Sequence, residues 1–425
     1  MSYSNEALQA QIVGKLLKDG FGEVASCIAC ESDRQENTIE LIASENFPSI
    51  DVLIAQASCF VAKYSEGYPP ERKTGNKGRY YGGCENVDRL EEFCCDKWRE
   101  VFNTDYHVNV QPHSGSSANL AAYMAVLQPG DTVLAMNLNE GGHLTHGSGV
   151  NFSGKKYNFV FYNLDENGYI DYQDMYLKII QHRPKLILAG ASAYSRVIDF
   201  QKIHGIIQEL SDMSYNPLFM VDMAHIAGLI AAGEHPSPFG LADIITTTTH
   251  KTLRGTRGGL IFCKQRFAKK VDSAVFPGCQ GGALQHIVAA KAVTACEACT
   301  PEYKEYIHNV VVNTKAMAEE FVRMGYDVVT GGTDNHLFLI DFTKTHPYLT
   351  GKDVQDLLDR HGITLNKNCV PGETRKPQET SGVRIGCAAM TTKGYTAEDF
   401  VAVARKIDQI IKHHYPRNFK LMQEM

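Results

Sequence analysis

Two neighbouring apolar runs end in an acid and an amine. In FMVDMAHIAG (219–228) the run stops at Asp222, and in ADIITTTTHK (242–251) the following run ends at Lys251, 29 positions further on. Short apolar runs of this kind read as buried strands, and ligands of open α/β sheets sit beyond the carboxyl ends of the strands. Both groups are therefore expected on one rim. A carboxylate that keeps a pyridine nitrogen protonated, beside an amine that bonds covalently to an aldehyde, is what pyridoxal phosphate needs to draw electrons from an amino acid's α-carbon. Taken singly, Asp222 would serve equally as a helix cap and Lys251 as a solvated amine; the reading rests on finding both.

Three further segments supply what such a cofactor and its substrate require. In NVQPHSGSSANLAAYMAV (109–126) the small residues Ser114, Gly115, Ser116 and Ser117 precede a helical pattern, where free N–H groups and the helix dipole favour a phosphate, although the same residues make a good N-cap. In MNLNEGGHLTHGSGV (136–150), Gly141 and Gly142 allow close backbone approach and His143 can stack on a flat ring. A metal at His143 and His146 is not expected, because no acidic or thiol ligand completes an obvious set. In TSGVRIG (380–386), Arg384 is placed to grip an α-carboxylate with its planar fork, though by itself it would equally be a surface arginine.

The elements that must position these groups follow an alternating pattern. DTVLAMNL, NFVFYNL, KLILAGA, LFMVDMA and ADIITTTT are short apolar or β-branched runs separated by helix-like stretches, which predicts a largely parallel sheet covered by helices. Residues 1–43 read as a mostly helical arm, 44–299 as a large domain holding the sheet, and 300–425 as a smaller α+β domain with strand candidates DVVT and HLFLIDF. The Gly/Pro-rich segments 69–79 and 371–382 read as surface loops.

Composition bounds the partners. With 44% hydrophobic and 21% charged residues the 425-residue chain is ordinary for globular domains, and a net charge of −6 argues against nucleic acid, which needs a basic stripe. No run of about 18 apolar residues predicts a membrane span. The start of the chain lacks the pattern of a secretory signal, and twelve scattered cysteines fit a reducing compartment, so the expected location is cytoplasmic. Cys27–Cys30 and Cys296–Cys299 have C-x-x-C spacing but lie in helix-like stretches without a closely spaced second pair, and no zinc is expected there.

From TTTTHKTLRGTRGG (246–259) outward the sequence resembles serine hydroxymethyltransferase. Matching blocks occur in order: IELIASEN (39–46), KYSEGY (63–68), RYYGGCE (79–85), NVQPHSGSSAN (109–119), MNLNEGGHLTHG (136–147), VDMAHIAGLIAAG (221–233), FPGCQGG (276–282), GGTDNHLFLID (331–341) and SGVRIG (381–386). The resemblance implies the aspartate-aminotransferase-like (type I) pyridoxal-phosphate fold, in a homodimer or dimer of dimers with shared active sites. It implies that serine and tetrahydrofolate interconvert with glycine and 5,10-methylenetetrahydrofolate. By the same likeness Lys251 carries the cofactor, Asp222 faces its pyridine nitrogen and His143 stacks on its ring. Ser114, Gly115 and Ser116 fall to its phosphate, with Gly281 and Gly282 reaching that phosphate from the neighbouring subunit. Ser192 and His225 approach its phenolic oxygen, and Arg384 holds the substrate carboxylate. Ser44 and Tyr64 line the substrate site, and Glu66 manages protons around the serine hydroxyl and folate. Tyr81, Leu138, Gly142, Leu144 and Asn368 lie near the folate.

The chain departs from the family pattern in places. PERKTGNKG (70–78) intervenes between Pro69 and Arg79, a change that would shift Tyr80 and Tyr81. Glu140 stands where His is common, Thr256 where Pro or Cys is common, and Lys376-Pro377-Gln378 replaces a segment that often ends in an aromatic. These departures keep open a folate-independent aldolase on β-hydroxy amino acids or a transferase for α-methylserine. A non-catalytic scaffold is the reading from a different class, disfavoured because every catalytic residue type is present.

Overall fold

The computed structural model describes residues 6–70, 78–211 and 214–415. Seven strands form the central sheet: β1 (His107–Asn109), β2 (Thr132–Met136), β3 (Asn158–Tyr162), β4 (Leu186–Ala189), β5 (Leu218–Asp222), β6 (Ile244–Thr248) and β7 (Gly259–Cys263). Their order is β1-β7-β6-β5-β4-β2-β3. β7 runs antiparallel to both of its neighbours, and the remaining pairs are parallel. The five apolar runs picked out in the sequence are β2 to β6. β1 and β7 were not singled out: β1 is only three residues long, and GLIFC lies close behind the strand with which it pairs.

Helices cover both faces, which is why the strands read as nearly unbroken apolar runs. Successive side chains divide between two cores. Leu134, Met136, Ile187, Val221, Ile245 and Phe262 pack on one face with Trp98 and Phe200. Val133, Ala135, Leu188, Met220, Ile244 and Ile261 pack on the other with Ala118, Ala121 and Ala122 of the helix Gly115–Val126. The alternation is the two-residue period of a strand turned into a sandwich of layers.

A second, antiparallel sheet orders β8 (Asp327–Val328), β9 (Leu337–Asp341), β10 (Asn366–Asn368) and β11 (Gly382–Gly386) as β10-β11-β9-β8. Its core holds Phe338, Ile340, Val383, Ile385 and Phe400. The helix Pro301–Arg323 joins the two halves, with Ile307 and Val310 in the large core and Met317 and Phe321 in the small one. Two N-terminal helices, Glu6–Lys18 and Gly22–Asn37, lead into Ile39–Glu40, which pairs in parallel with Ile363–Thr364. Leu41 is buried in the small core. The segment that follows the N-terminal helices is thus anchored to the half that holds the antiparallel sheet. Segment 371–381 is irregular as expected, Gly382 already belongs to β11, and residues 71–77 lie outside the described residues. No helix is long and apolar enough to cross a membrane among the described residues.

Candidate active site

Asp222 is the last residue of β5, and its register partner on β6 is Thr246. Its Oδ2 accepts from Asn119 Nδ2 at 2.8 Å and is bonded to His146 Nε2 at 3.1 Å, while Oδ1 accepts the Ala224 N–H at 3.1 Å. Burial alone would push this carboxyl up; the His146 hydrogen bond and the neighbouring imidazoles outweigh it and hold the group below the carboxylate range. Asn119 is itself oriented by Thr246, whose hydroxyl donates to Asn119 Oδ1 at 2.6 Å. Asp222 is thereby kept ionised.

Lys251 follows β6 and is buried, contrary to a solvated amine. Burial pushes its ammonium down to about 8, opposed by Asp222 and assisted by Arg384 and Arg257. An appreciable neutral fraction near pH 7 is what a nucleophilic amine needs. The Lys251 carbonyl accepts from Asn46 Nδ2 at 2.9 Å, which ties the IELIASEN segment to the site. That segment runs along β11: the Gly386 N–H donates to Leu41 O at 2.8 Å, and a Cβ on Gly386 would meet Ala43 Cα at 2.4 Å. Ser44 follows at once, close to the strand that carries Arg384.

Arg384 is buried too, not a surface arginine. It donates from Nη1 to Ser192 O at 2.6 Å and from Nε to Asn366 Oδ1 at 3.1 Å, and burial lowers it to about 10. No carboxylate pairs with it among the described residues. His225 meets His336 across the two halves, Nδ1 to Nε2 at 3.2 Å, and burial with the nearby Lys251 and Arg384 charges keeps both rings neutral.

His143 is brought to Asp222, Lys251 and Arg384, whose charges all act on it, and burial holds it neutral at about 4. Its Nδ1 accepts the Thr145 N–H at 3.2 Å and lies 2.7 Å from Thr145 Oγ1. The loop needs its glycines: Gly141 has φ +113°, and a Cβ on Gly142 would lie 2.4 Å from Met136 O. Glu140 turns away from the site and accepts the Leu164 N–H at 2.6 Å. Contrary to the expectation that no acid completes a metal-ligand set with the two histidines, Asp222, 76 positions beyond His146, joins them: one ligand atom each of His143, His146 and Asp222 lie within 4.8 Å of one another. In this structure His146 Nε2 and Asp222 Oδ2 are bonded to each other, and His143 Nδ1 is bonded to Thr145.

Ser114 and Ser117 form a capping box at the start of the helix Gly115–Val126, with Ser114 Oγ accepting the Ser117 N–H at 3.2 Å. The capping alternative is thus realised, while the first-turn N–H groups of Gly115 and Ser116 are not consumed by it. A Cβ on Gly115 would meet Thr248 Cγ2 at 2.7 Å, so the cradle sits against the end of β6.

A second group gathers around Tyr64. A Cβ on Gly281 would stand 3.3 Å from Glu66 Oε1, and one on Gly282 would stand 3.1 Å from Tyr64 Cε1. Tyr81 packs edge-on against Tyr64 at 5.3 Å between ring centres, and both rings are largely exposed. No hydrogen bond or ion pair joins this group to Lys251 or Asp222 among the described residues. Gly67 and Arg79, on either side of the insertion, form an antiparallel bridge, and the Tyr80 N–H donates to Glu66 O at 2.9 Å. Leu138 and Leu144 are exposed beside the His143 loop, and Asn368 ends β10 with Nδ2 donating to Cys369 O at 2.6 Å.

Sequence reasoning passed over Asn46, Asn119, Thr246, His336 and Asn366. Asn119 had a signal, since it lies one helical turn beyond Gly115 and shares its face. His336 and Asn366 had none, because their partners are 111 and 18 positions away.

A mostly parallel seven-stranded sheet whose adjacent strand ends present an ionised aspartate and a buried lysine defines a pyridoxal-phosphate-dependent enzyme of fold type I. The family model for serine hydroxymethyltransferase matches residues 17–407, and the chain belongs to that family. It is a family of pyridoxal-phosphate-dependent hydroxymethyltransferases with tetrahydrofolate as co-substrate, and it also includes related aldolases. The residues present fit the cofactor: a lysine of lowered pKa, an ionised aspartate, a neutral imidazole and a Gly115 cradle with no room for a side chain.

Proposed function

We propose that the chain catalyses the reversible transfer of the hydroxymethyl group of serine to tetrahydrofolate, giving glycine and 5,10-methylenetetrahydrofolate. The observation that carries this is Arg384, a buried guanidinium near Lys251 with no carboxylate partner among the described residues. A buried cation without a counter-ion is costly, and an amino acid's α-carboxylate relieves that cost in a bidentate grip.

Pyridoxal phosphate, when bound, supplies a sink for the electrons released at the α-carbon. Lys251 would hold it covalently through its side-chain nitrogen. Asp222, held by Asn119 and His146, keeps a proton on the pyridine nitrogen. His143 presents a neutral, flat ring to one face of the site. Ser192 and His225 belong to the phenolic oxygen, Ser114, Gly115 and Ser116 to the phosphate, and Ser44 and Tyr64 to the substrate.

Glu66 exchanges the proton of the serine hydroxyl with the folate side. Leu138, Gly142, Leu144, Tyr81 and Asn368 receive the folate; the exposed apolar faces of Leu138 and Leu144 suit a flat pterin. The exposure of Tyr64 beside Glu66, Gly281 and Gly282 supports a second copy of the chain, whose site this group would complete, in a homodimer or dimer of dimers. The division into an arm (1–43), a large domain (44–299) and a small domain (300–425) belongs to the same reading.

The second reading is folate-independent cleavage of β-hydroxy amino acids. The segment Lys376-Pro377-Gln378, which offers a pterin no aromatic ring, favours it. Serine cleavage measured with and without tetrahydrofolate decides. Strong stimulation is expected, and equal rates would replace the transferase by the aldolase.

A further inference from the structure

Lys291 lies in the helix Gln285–Ala298, is 1% exposed, and takes no part in the chemistry above. Its ammonium donates to three main-chain carbonyls: Val110 O at 2.7 Å, Pro112 O at 2.9 Å and Gly259 O at 2.9 Å. Among the described residues it makes no ion pair with a carboxylate. Its stem is fixed as well, for a Cβ on Gly258 would lie 2.3 Å from Lys291 Cε.

The three carbonyls have one thing in common. Val110 and Pro112 belong to the segment that rises from β1 to Ser114, and Gly259 opens β7. The two strands meet here, where the Gly259 N–H donates to Pro112 O at 3.1 Å. A Cβ on Gly259 would lie 2.3 Å from Ser114 O and 3.2 Å from the Gly115 nitrogen. Lys291 thus clamps the floor of the Ser114–Gly115 cradle from beneath and places a positive charge under it. Holding a lysine in that position is unfavourable, since burial lowers it to about 8. A neutral side chain would hold an ordinary loop without that cost.

We infer that Lys291 is a positioning residue for the cofactor phosphate: it fixes the backbone that presents the Gly115 and Ser116 N–H groups and supplies a buried positive charge beneath the cradle that would hold the dianion. This rests on the reading of Ser114–Gly115 as the phosphate cradle. The role differs from a structural one in what it discriminates. A clamp that only kept the fold would affect pyridoxal phosphate and pyridoxal alike, whereas a charge aimed at the phosphate affects only the former.

The test is binding of pyridoxal 5'-phosphate and of pyridoxal to cofactor-free full-length protein, followed by quenching of intrinsic fluorescence, for wild type, Lys291→Met and Lys291→Arg. The wild type should prefer the phosphate ester. Lys291→Met should lose roughly tenfold or more of its affinity for pyridoxal phosphate, the scale of one charge in a shielded site, with pyridoxal affinity unchanged. Lys291→Arg should keep most of the preference. If Lys291→Met does not fold, Lys291→Gln retains donors without charge and should show the same selective loss. A preference for the phosphate ester that survives in the uncharged variants, or an equal loss for both compounds, overturns the role. A wild type without that preference would instead remove the phosphate reading of the cradle.

Discussion

One side-chain amide joins two sides of the candidate site: Asn119 Nδ2 lies 2.8 Å from Asp222 Oδ2 and 2.8 Å from Thr145 Oγ1, the hydroxyl on which His143 rests. The orientations of the Asp222 carboxylate and of the His143 imidazole are thereby coupled through a residue on a third element. Asn119→Ala leaves the Thr246 hydroxyl and one Asp222 lone pair unpaired, and should cost about 1–3 kcal/mol of stability. Denaturant unfolding checks this, and a change below about 0.5 kcal/mol would show that water replaces the amide without loss.

Removing the charge of the acid should do more than loosening it. Asp222→Asn keeps the shape but cannot hold a proton on the pyridine nitrogen. We expect kcat for serine cleavage to fall roughly a hundredfold or more, the scale of losing one preorganised electrostatic partner. Steady-state rates at saturating cofactor check it; a fall under threefold would remove Asp222 from the electron sink.

Arg384→Lys keeps a charge but loses the fork. Because the Ser192 and Asn366 bonds fix the guanidinium plane, a point charge is a poor substitute. KM for serine should rise at least tenfold, with a smaller change in kcat. An unchanged KM would mean that the carboxylate is held elsewhere.

Lys251 gives a pH-dependent prediction. Its folded pKa of about 8 lies below the ordinary 10.5, so between these values the folded, cofactor-free chain binds fewer protons than the unfolded one and gains stability as pH rises. The penalty is full below about pH 8 and disappears towards 10.5. Cofactor-free Lys251→Met should therefore exceed cofactor-free wild type in stability at pH 7, by up to about 3 kcal/mol, and the gap should close by pH 10.5. Urea midpoints across that range decide the point; a gap independent of pH would trace the difference to packing.

Gly142→Ala tests the loop. The added methyl would stand 2.4 Å from a backbone oxygen that has no freedom to rotate away. Overpacking of about 1–3 kcal/mol is expected, with weakened cofactor binding because His143 follows directly. Thermal unfolding with and without cofactor checks both.

Much of this protein could be read without coordinates, for a local reason. Alternating apolar runs and helical stretches carry their own periods, so β2 to β6 and the strand-end positions of Asp222 and Lys251 follow from hydrophobicity and spacing. The order of the matching blocks was enough to place the chain in its family. What remained hidden depends on packing between distant segments. No local pattern says that β7 reverses between β1 and β6, that Asp222 joins His143 and His146, or that Lys291 lies beneath the cradle. Nor does spacing show that the insertion after Pro69 closes on the Gly67–Arg79 bridge and leaves Tyr81 against Tyr64. Burial decides the rest. A lysine and an arginine whose types alone would have put them in solvent are buried, and that burial lowers their pKa values, while Arg384 has no carboxylate partner among the described residues.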